Sequence, residues 1–197
     1  MSRKNILNSF KNLSELLIKL SDNDNLLDKY ELFLNKILNA ISNGSTIFFC
    51  GNGGSFADSQ HLSTELVVRF KENRRAINSI VLGSNQCNLT AIGNDFNFED
   101  IFVRELSALY KNNDVVIILS TSGNSKNVIK VAKFLIEKGS RALSIIGKGG
   151  GDLKDLTDNI IIPSNETAQI QEVSMVLGHS LCSEIDREIT TNPKKYN

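Results

Sequence analysis

From Ile6 to Ile41 the apolar residues recur every three or four positions: Ile6, Phe10, Leu13, Leu17 and Leu20, then Leu26, Leu27, Tyr30, Phe33, Ile37 and Ile41. That is the period of a helix with one apolar face. The polar stretch SDNDN (21–25) breaks the row and supplies side chains suited to capping a second helix. The pattern therefore predicts two amphipathic helices in residues 1–44, closed by Asn43-Gly44. They hold no set of residues that could do chemistry, so their role is packing, against the rest of the chain or against another copy.

After Gly44 the period changes. Short apolar runs rich in β-branched residues appear at TIFFC (46–50), INSIVL (77–82), VVIILS (115–120), ALSII (142–146) and NIIIP (159–163). Helical candidates fill the gaps at about 55–70, 98–110, 125–139 and 168–189. Strands that are almost wholly apolar and alternate with helices predict an α/β domain over 45–197, with a five-stranded parallel sheet covered on both faces. Ligands of such folds bind beyond the C-terminal ends of the strands, where loops meet helix N-termini.

Composition narrows the function. At 197 residues and 41% hydrophobic the chain is one ordinary domain with room for a core. Lys+Arg 22 against Asp+Glu 22 leaves no net charge, which speaks against a general nucleic-acid binder. An anionic ligand must then be held by helix N-termini and single arginines. Cys50, Cys87 and Cys182 are odd in number, widely spaced and outside any CxxC pattern, as in a reducing compartment. MSRKNILNSFKN lacks the apolar centre of a signal peptide and no apolar run reaches membrane-spanning length, so the expectation is a cytoplasmic protein without membrane contact.

Two loops are placed to meet a ligand. GNGGS (51–55) fails as a dinucleotide fingerprint because Phe56 stands where the third glycine belongs, and it is no P-loop because no GK[ST] follows. What remains is a loop that lets a ligand come close to the backbone ahead of a helix, or a tight turn with no ligand at all. STSGNS (120–125) is richer: Ser120, Thr121, Ser122 and Ser125 crowd one strand-to-helix turn. Hydroxyl donors at a helix N-terminus suit a phosphate monoester, and four of them exceed what capping by Ser125 needs.

His61 and Glu65 lie four residues apart and share a helix face. The spacing suits two metal ligands, a base with its partner, or a plain surface pair. Arg69 extends the row by four more, as a cation for an anionic substrate or as a salt-bridge partner of Glu65. The chain's other histidine, His179, follows QIQE (169–172) in the last helical segment.

The stretches CGNGGSFADSQHLSTELVVRF, AIGNDFNFEDIF, STSGNSKNVIKVA and IQEVSMVLGHSLC resemble, in order and over essentially the whole chain, the phosphoheptose isomerases of the sugar-isomerase (SIS) domain superfamily. STSGNS alone marks the superfamily. GNGGS with His61 and Glu65, GND (93–95), and Gln171 with His179 mark the isomerase. The resemblance implies a flavodoxin-like three-layer sandwich and a homotetramer with active sites at subunit interfaces. It implies conversion of the ketose sedoheptulose 7-phosphate to the aldose D-glycero-D-manno-heptose 7-phosphate, at the head of nucleotide-activated heptose synthesis. It also implies one Zn2+ per subunit on His61, Glu65, Gln171 and His179, and Glu65 with His179 as the acid/base pair. Asn52, Gly53, Gly54, Ser55, Asn94, Asp95, Ser120, Thr121, Ser122, Ser125 and Gln171, with Glu65, are the implied substrate contacts.

The residue types suit that chemistry. Moving a proton between C1 and C2 through an enediol needs a base near the carbons and an acid or Lewis acid on the oxygens. Glu65 is the natural carbon base, and an imidazole such as that of His179 titrates near neutrality. A glutamate held tightly by zinc is a weaker base, so Glu65 is expected to be base first and ligand second. Gln171 and His179 are eight residues apart, roughly 12 Å of helix rise, too far for one metal unless both side chains stretch, the helix distorts, or two chains contribute.

Phe56 and LGSNQC (82–87) depart from the family's usual text near the sugar pocket. The resemblance also brings a rival, a non-catalytic SIS tetramer that binds the bacterial replication initiator and in which the Glu65 position is replaced. A phosphosugar-sensing domain would need only STSGNS and would leave Glu65, Gln171 and His179 without a use.

Overall fold

The computed structural model describes residues 2–196. Two helices, α1 (Ser2–Ser21) and α2 (Asp24–Ser42), precede an alternating series: β1 (Ile47–Cys50), α3 (Gly54–Val67), β2 (Ser79–Val81), α4 (Gln86–Asp95), α5 (Ile101–Leu109), β3 (Val115–Ser120), α6 (Lys126–Glu137), β4 (Leu143–Ile146), α7 (Leu153–Leu156), β5 (Asp158–Ile161), α8 (Thr167–Thr191) and α9 (Pro193–Tyr196). The five strands are all parallel, in the order β2-β1-β3-β4-β5. This is the flavodoxin-like arrangement, and the order reverses between β1 and β3, where such sheets open a ligand crevice.

Side chains alternate across the sheet and explain its two covers. Ile47, Phe49, Ile117 and Leu119 point into one cluster with α2, α3 and α8, while Phe48, Cys50, Val116 and Ile118 point into the other with α5, α6 and α7. Phe33 of α2 and Phe48 of β1 are wholly enclosed, and burial of each such side chain is worth about 1.5–3 kcal/mol. α2 shares the same core as α3 and α8. α1 does so only through its end, burying Leu16 and Leu20 and leaving Ile6, Leu7, Phe10 and Ile18 exposed.

Each predicted strand is present, as are both N-terminal helices, and Asn23 of SDNDN caps α2 by accepting a hydrogen bond from the Leu26 amide at 3.1 Å. Three differences matter. α4 lies where the sequence pattern predicts no helix; its only buried residue is Ile92, so it shows almost no apolar stripe, and it begins because Asn85 caps it. The predicted 98–110 helix begins as a 3-10 turn (Phe98–Asp100) ahead of α5. α3 stops at Val67, not near residue 70, because the Arg74 guanidinium returns to take the carbonyls of Glu65 and Leu66 at 2.7 and 2.8 Å. Arg69 is therefore beyond the helix and exposed, not a third member of the His61–Glu65 row.

Candidate active site

The two loops singled out in the sequence end β1 and β3, neighbouring strands paired as Phe49 with Ile117 and Cys50 with Ile118. They therefore flank the point where strand order reverses. In STSGNS, Ser120 accepts the Gly123 amide at 3.1 Å and Ser122 accepts the Asn124 amide at 3.2 Å, so each hydroxyl keeps its proton for another acceptor. Ser125 occupies the N-cap of α6 yet makes no capping hydrogen bond with its side chain. The simple reading of this serine as a cap fails, and its hydroxyl is uncommitted. Gly123 sits at φ +67°, and any side chain there would run into the Gly150 carbonyl. Thr121 is half-buried beside them.

The loop GNGGS is joined to the first turn of α6, directly after STSGNS, by a reciprocal amide pair. Asn52 Nδ2 donates to Asn127 Oδ1 at 2.9 Å, and Asn127 Nδ2 donates to Asn52 Oδ1 at 2.8 Å. Ser55 is buried in the first turn of α3. Beside the loop lies an apolar hollow of about 210 Å³, lined by Gly53, Phe56, Gly83, Leu89 and Phe98 among others. Both places where the sequence departs from the family's text, Phe56 and LGSNQC, therefore contribute to one wall.

The helices α3 and α8 run side by side in the same direction, since Gly54 abuts Gln171 and Leu62 abuts Gly178. A Cβ on Gly178 would lie 2.6 Å from the Leu62 methyls, so its absence lets the helices close at this height. The residues next to this contact are His61 and His179. Their Nε2 atoms are 3.1 Å apart, and His61 Nε2 is 3.2 Å from Glu65 Oε1. Phe70 stacks flat on His179, with ring centroids 5.4 Å apart. The cluster is reachable: the His61 side chain is 49% exposed and that of Glu65 22%.

One ligand atom from each of His61, Glu65 and His179 lies within 4.8 Å of the others. Tetrahedral zinc with bonds of about 2.0–2.2 Å keeps its ligands about 3.3–3.5 Å apart, and two histidines with one glutamate and an open position is a catalytic donor set. The two separations given above are close to that edge, so these residues fit the ion. Gln171 stands elsewhere in the same chain. Its carboxamide lies against Gly54, seven residues before His61 and about 10 Å back along α3. α8 is one uninterrupted helix from Thr167 to Thr191, so distortion does not bring Gln171 to the cluster.

Burial pushes the Cys182 thiol up to about 12, with the charges of Glu65 and Asp186 adding to it. Burial also raises Asp58, one turn before His61, against the pull of the His61 charge. Asn94 and Asp95 sit exposed on the last turn of α4, bonded to each other at 2.8 Å and to neither loop.

Sequence reasoning missed the brace behind the cluster. Arg74 Nε donates to Asp186 Oδ1 at 2.6 Å, and both side chains are 1% exposed. Asp186 Oδ2 accepts the amides of Lys71 and Glu72 at 2.7 and 3.0 Å. One network thus holds the Glu65 carbonyl, the segment that carries Phe70, and α8. Burial would raise the Asp186 carboxyl, but the Glu72 and Lys71 amides and Arg74 outweigh it and hold it below the usual carboxylate range. The available signal was a carboxylate seven residues after His179, on the apolar stripe that includes Ile185 and Ile189.

Comparison with known proteins gives the family. Residues 10–147 match the SIS domain family. The chain is 45% identical over 150 residues to a phosphoheptose isomerase of a Nitratiruptor species, covering 76% of this chain and 80% of that protein. The solved phosphoheptose isomerase from Francisella tularensis superposes with a TM-score of 0.89 at 27% identity, over 95% of this chain and 99% of its own. That from Neisseria gonorrhoeae gives 0.87 at 29% identity, over 95% and 100%. A hydroxyl-lined cradle at the switch point of the sheet and a His–Glu–His cluster on its covering helices thus belong to a chain of the phosphoheptose isomerase family, a sugar-phosphate isomerase built on the SIS domain.

Proposed function

We propose that this isomerase converts sedoheptulose 7-phosphate to D-glycero-D-manno-heptose 7-phosphate through an enediol, the opening step of nucleotide-activated heptose synthesis. The observation that carries the reading is the contact among His61, Glu65 and His179, reachable from solvent and braced from behind. STSGNS receives the phosphate on the hydroxyls of Ser120, Thr121, Ser122 and Ser125 and on the free amides at the start of α6. GNGGS lays the sugar against main chain at Gly53 and Gly54, with Asn52 and Ser55 as polar contacts, and Gln171 reaches the same loop. Arg69, Asn94 and Asp95, exposed here, contact substrate once the site is complete.

Glu65 takes a proton from C1 of the ketose on a carboxylate oxygen, exchanges it with the solvent that reaches the cluster, and delivers a proton to C2. His179, through the ring nitrogen that does not face His61, supplies a proton to the carbonyl oxygen and recovers one from the other oxygen, so the net change is zero. Zn2+ held by His61, Glu65 and His179 would polarise the carbonyl and the developing enediolate. Gln171 serves as a further ligand only from a second chain. This, with the exposed apolar residues of α1, supports a homotetramer whose sites are completed across interfaces. The SIS scaffold without catalysis has no use for three groups arranged as proton carriers and ligands.

Metal-replete protein incubated with sedoheptulose 7-phosphate is expected to form the aldose heptose, followed by proton NMR of the anomeric region, and chelation is expected to suppress it. Turnover of other ketose phosphates with no turnover of sedoheptulose 7-phosphate overturns the substrate assignment.

A further inference from the structure

Asn127 lies outside every residue set discussed for this reaction, yet its place is unusual. It is the second residue of α6, it is 3% exposed, and it is polar where a helix packing on a sheet ordinarily buries an apolar group. A buried amide is costly unless its hydrogen bonds are met. Here Asn127 Oδ1 accepts both Asn52 Nδ2 at 2.9 Å and the Val128 amide at 3.0 Å, and Nδ2 donates to Asn52 Oδ1 at 2.8 Å.

The Val128 amide decides the orientation of the pair. Two amides facing each other are equally satisfied if both are turned over, but then a donor would face the Val128 N–H. With that contact fixed, Asn127 must present its oxygen to Val128, and Asn52 must in turn present its oxygen to Asn127 Nδ2. Asn52 is left with one N–H and one oxygen lone pair uncommitted, in a fixed plane beside the crevice and its apolar hollow. A donor next to an acceptor matches a sugar hydroxyl, which gives one hydrogen bond and takes another.

We infer that Asn127 is a positioning residue which, through this reciprocal amide pair, fixes the orientation of Asn52 so that Asn52 reads a neutral sugar oxygen, and thereby couples the sugar-facing loop to the phosphate cradle. This rests on the proposed isomerase reading of the site. Asn127 itself touches no substrate atom, and its effect is on binding and not on the proton transfers at Glu65.

The experiment is a double-mutant cycle of Asn52→Ala and Asn127→Ala on the full-length, metal-replete protein, with KM, kcat and thermal midpoint measured for sedoheptulose 7-phosphate. Each single substitution is expected to raise KM roughly tenfold with kcat almost unchanged, and the double variant is expected to match Asn52→Ala alone. Asn127→Asp separates positioning from folding. Its carboxylate still accepts from Val128 and from Asn52 Nδ2 but opposes the Asn52 oxygen. It should therefore keep the fold with a lowered thermal midpoint and show the raised KM. Additive effects of the two alanine substitutions, or an Asn127→Asp variant with wild-type KM, overturn the inference while the isomerase reading stands. Loss of thermal stability in Asn127→Ala with unchanged KM does the same, leaving only a structural tie. Absence of turnover by the wild-type protein brings down the isomerase reading and the inference with it.

Discussion

The molecule presents its polar groups in two contrasting settings. The His61–Glu65–His179 cluster is carried on helices, closed by the Gly178–Leu62 contact and braced by a buried Arg74–Asp186 pair. The cradle of GNGGS and STSGNS is carried on loops, held by hydroxyl–amide bonds, a left-handed glycine and the Asn52–Asn127 pair. Groups that exchange protons need placement within a few tenths of an ångström, and packed helices supply it. In the proposed reading, the groups that grip the phosphate work through several weak donors, which a loop can supply. Damage to the reacting groups of the first region should therefore appear in kcat, damage to its brace in stability, and damage to the second region in KM.

The sharpest separation comes from Glu65→Gln, which keeps size and polarity but removes the base. Its kcat is expected to fall by about 10³-fold, while its thermal unfolding midpoint, read by calorimetry, stays near that of wild type. Removing the brace is the next largest effect. Asp186→Ala leaves Arg74 buried and unpaired, which costs about 3–5 kcal/mol and lowers the midpoint by about 10 °C. Metal affinity, measured by competition with a chromophoric chelator, should weaken in the same variant because α3 and α8 are no longer locked.

In the cradle, Ser122→Ala should raise KM by roughly tenfold, the value of one hydrogen bond to a charged group, with kcat and stability nearly unchanged. A variant that lost kcat instead would break the division between the two regions. The smallest effect concerns acid. The folded state holds Asp186 below its unfolded carboxylate value, so this group's stabilisation is complete above about pH 4. It is lost as pH falls through the lower, folded value. Acid titrations of thermal stability should be shallower in Asp186→Asn than in wild type.

The same contrast separates what could be read from the chain and what could not. β3 is VVIILS, apolar on both faces, and its bounds at 115–120 follow from the run itself. The strand-to-helix turn proposed as the cradle was legible for a like reason, since its hydroxyls and glycine are contiguous in STSGNS. His61 and Glu65 were legible as a helical pair, but their closure with His179 depends on Gly178 meeting Leu62 across 116 residues, which no local pattern announces. The end of α3 was misjudged because it is set by Arg74 and Asp186, a contact between distant segments. α4 was missed because an exposed helix has little apolar period to display. Asn127 escaped notice because its value lies in facing Asn52, 75 positions away.

The central claim is that Glu65 moves the proton between C1 and C2. The most direct test is turnover of sedoheptulose 7-phosphate in deuterium oxide by metal-replete wild type and Glu65→Gln, with the product examined by NMR and mass spectrometry. The account predicts an aldose carrying solvent deuterium at C2 from the wild type, and neither product nor exchange into the ketose from Glu65→Gln. Near-normal turnover by Glu65→Gln, with deuterium still entering at C2, would contradict it.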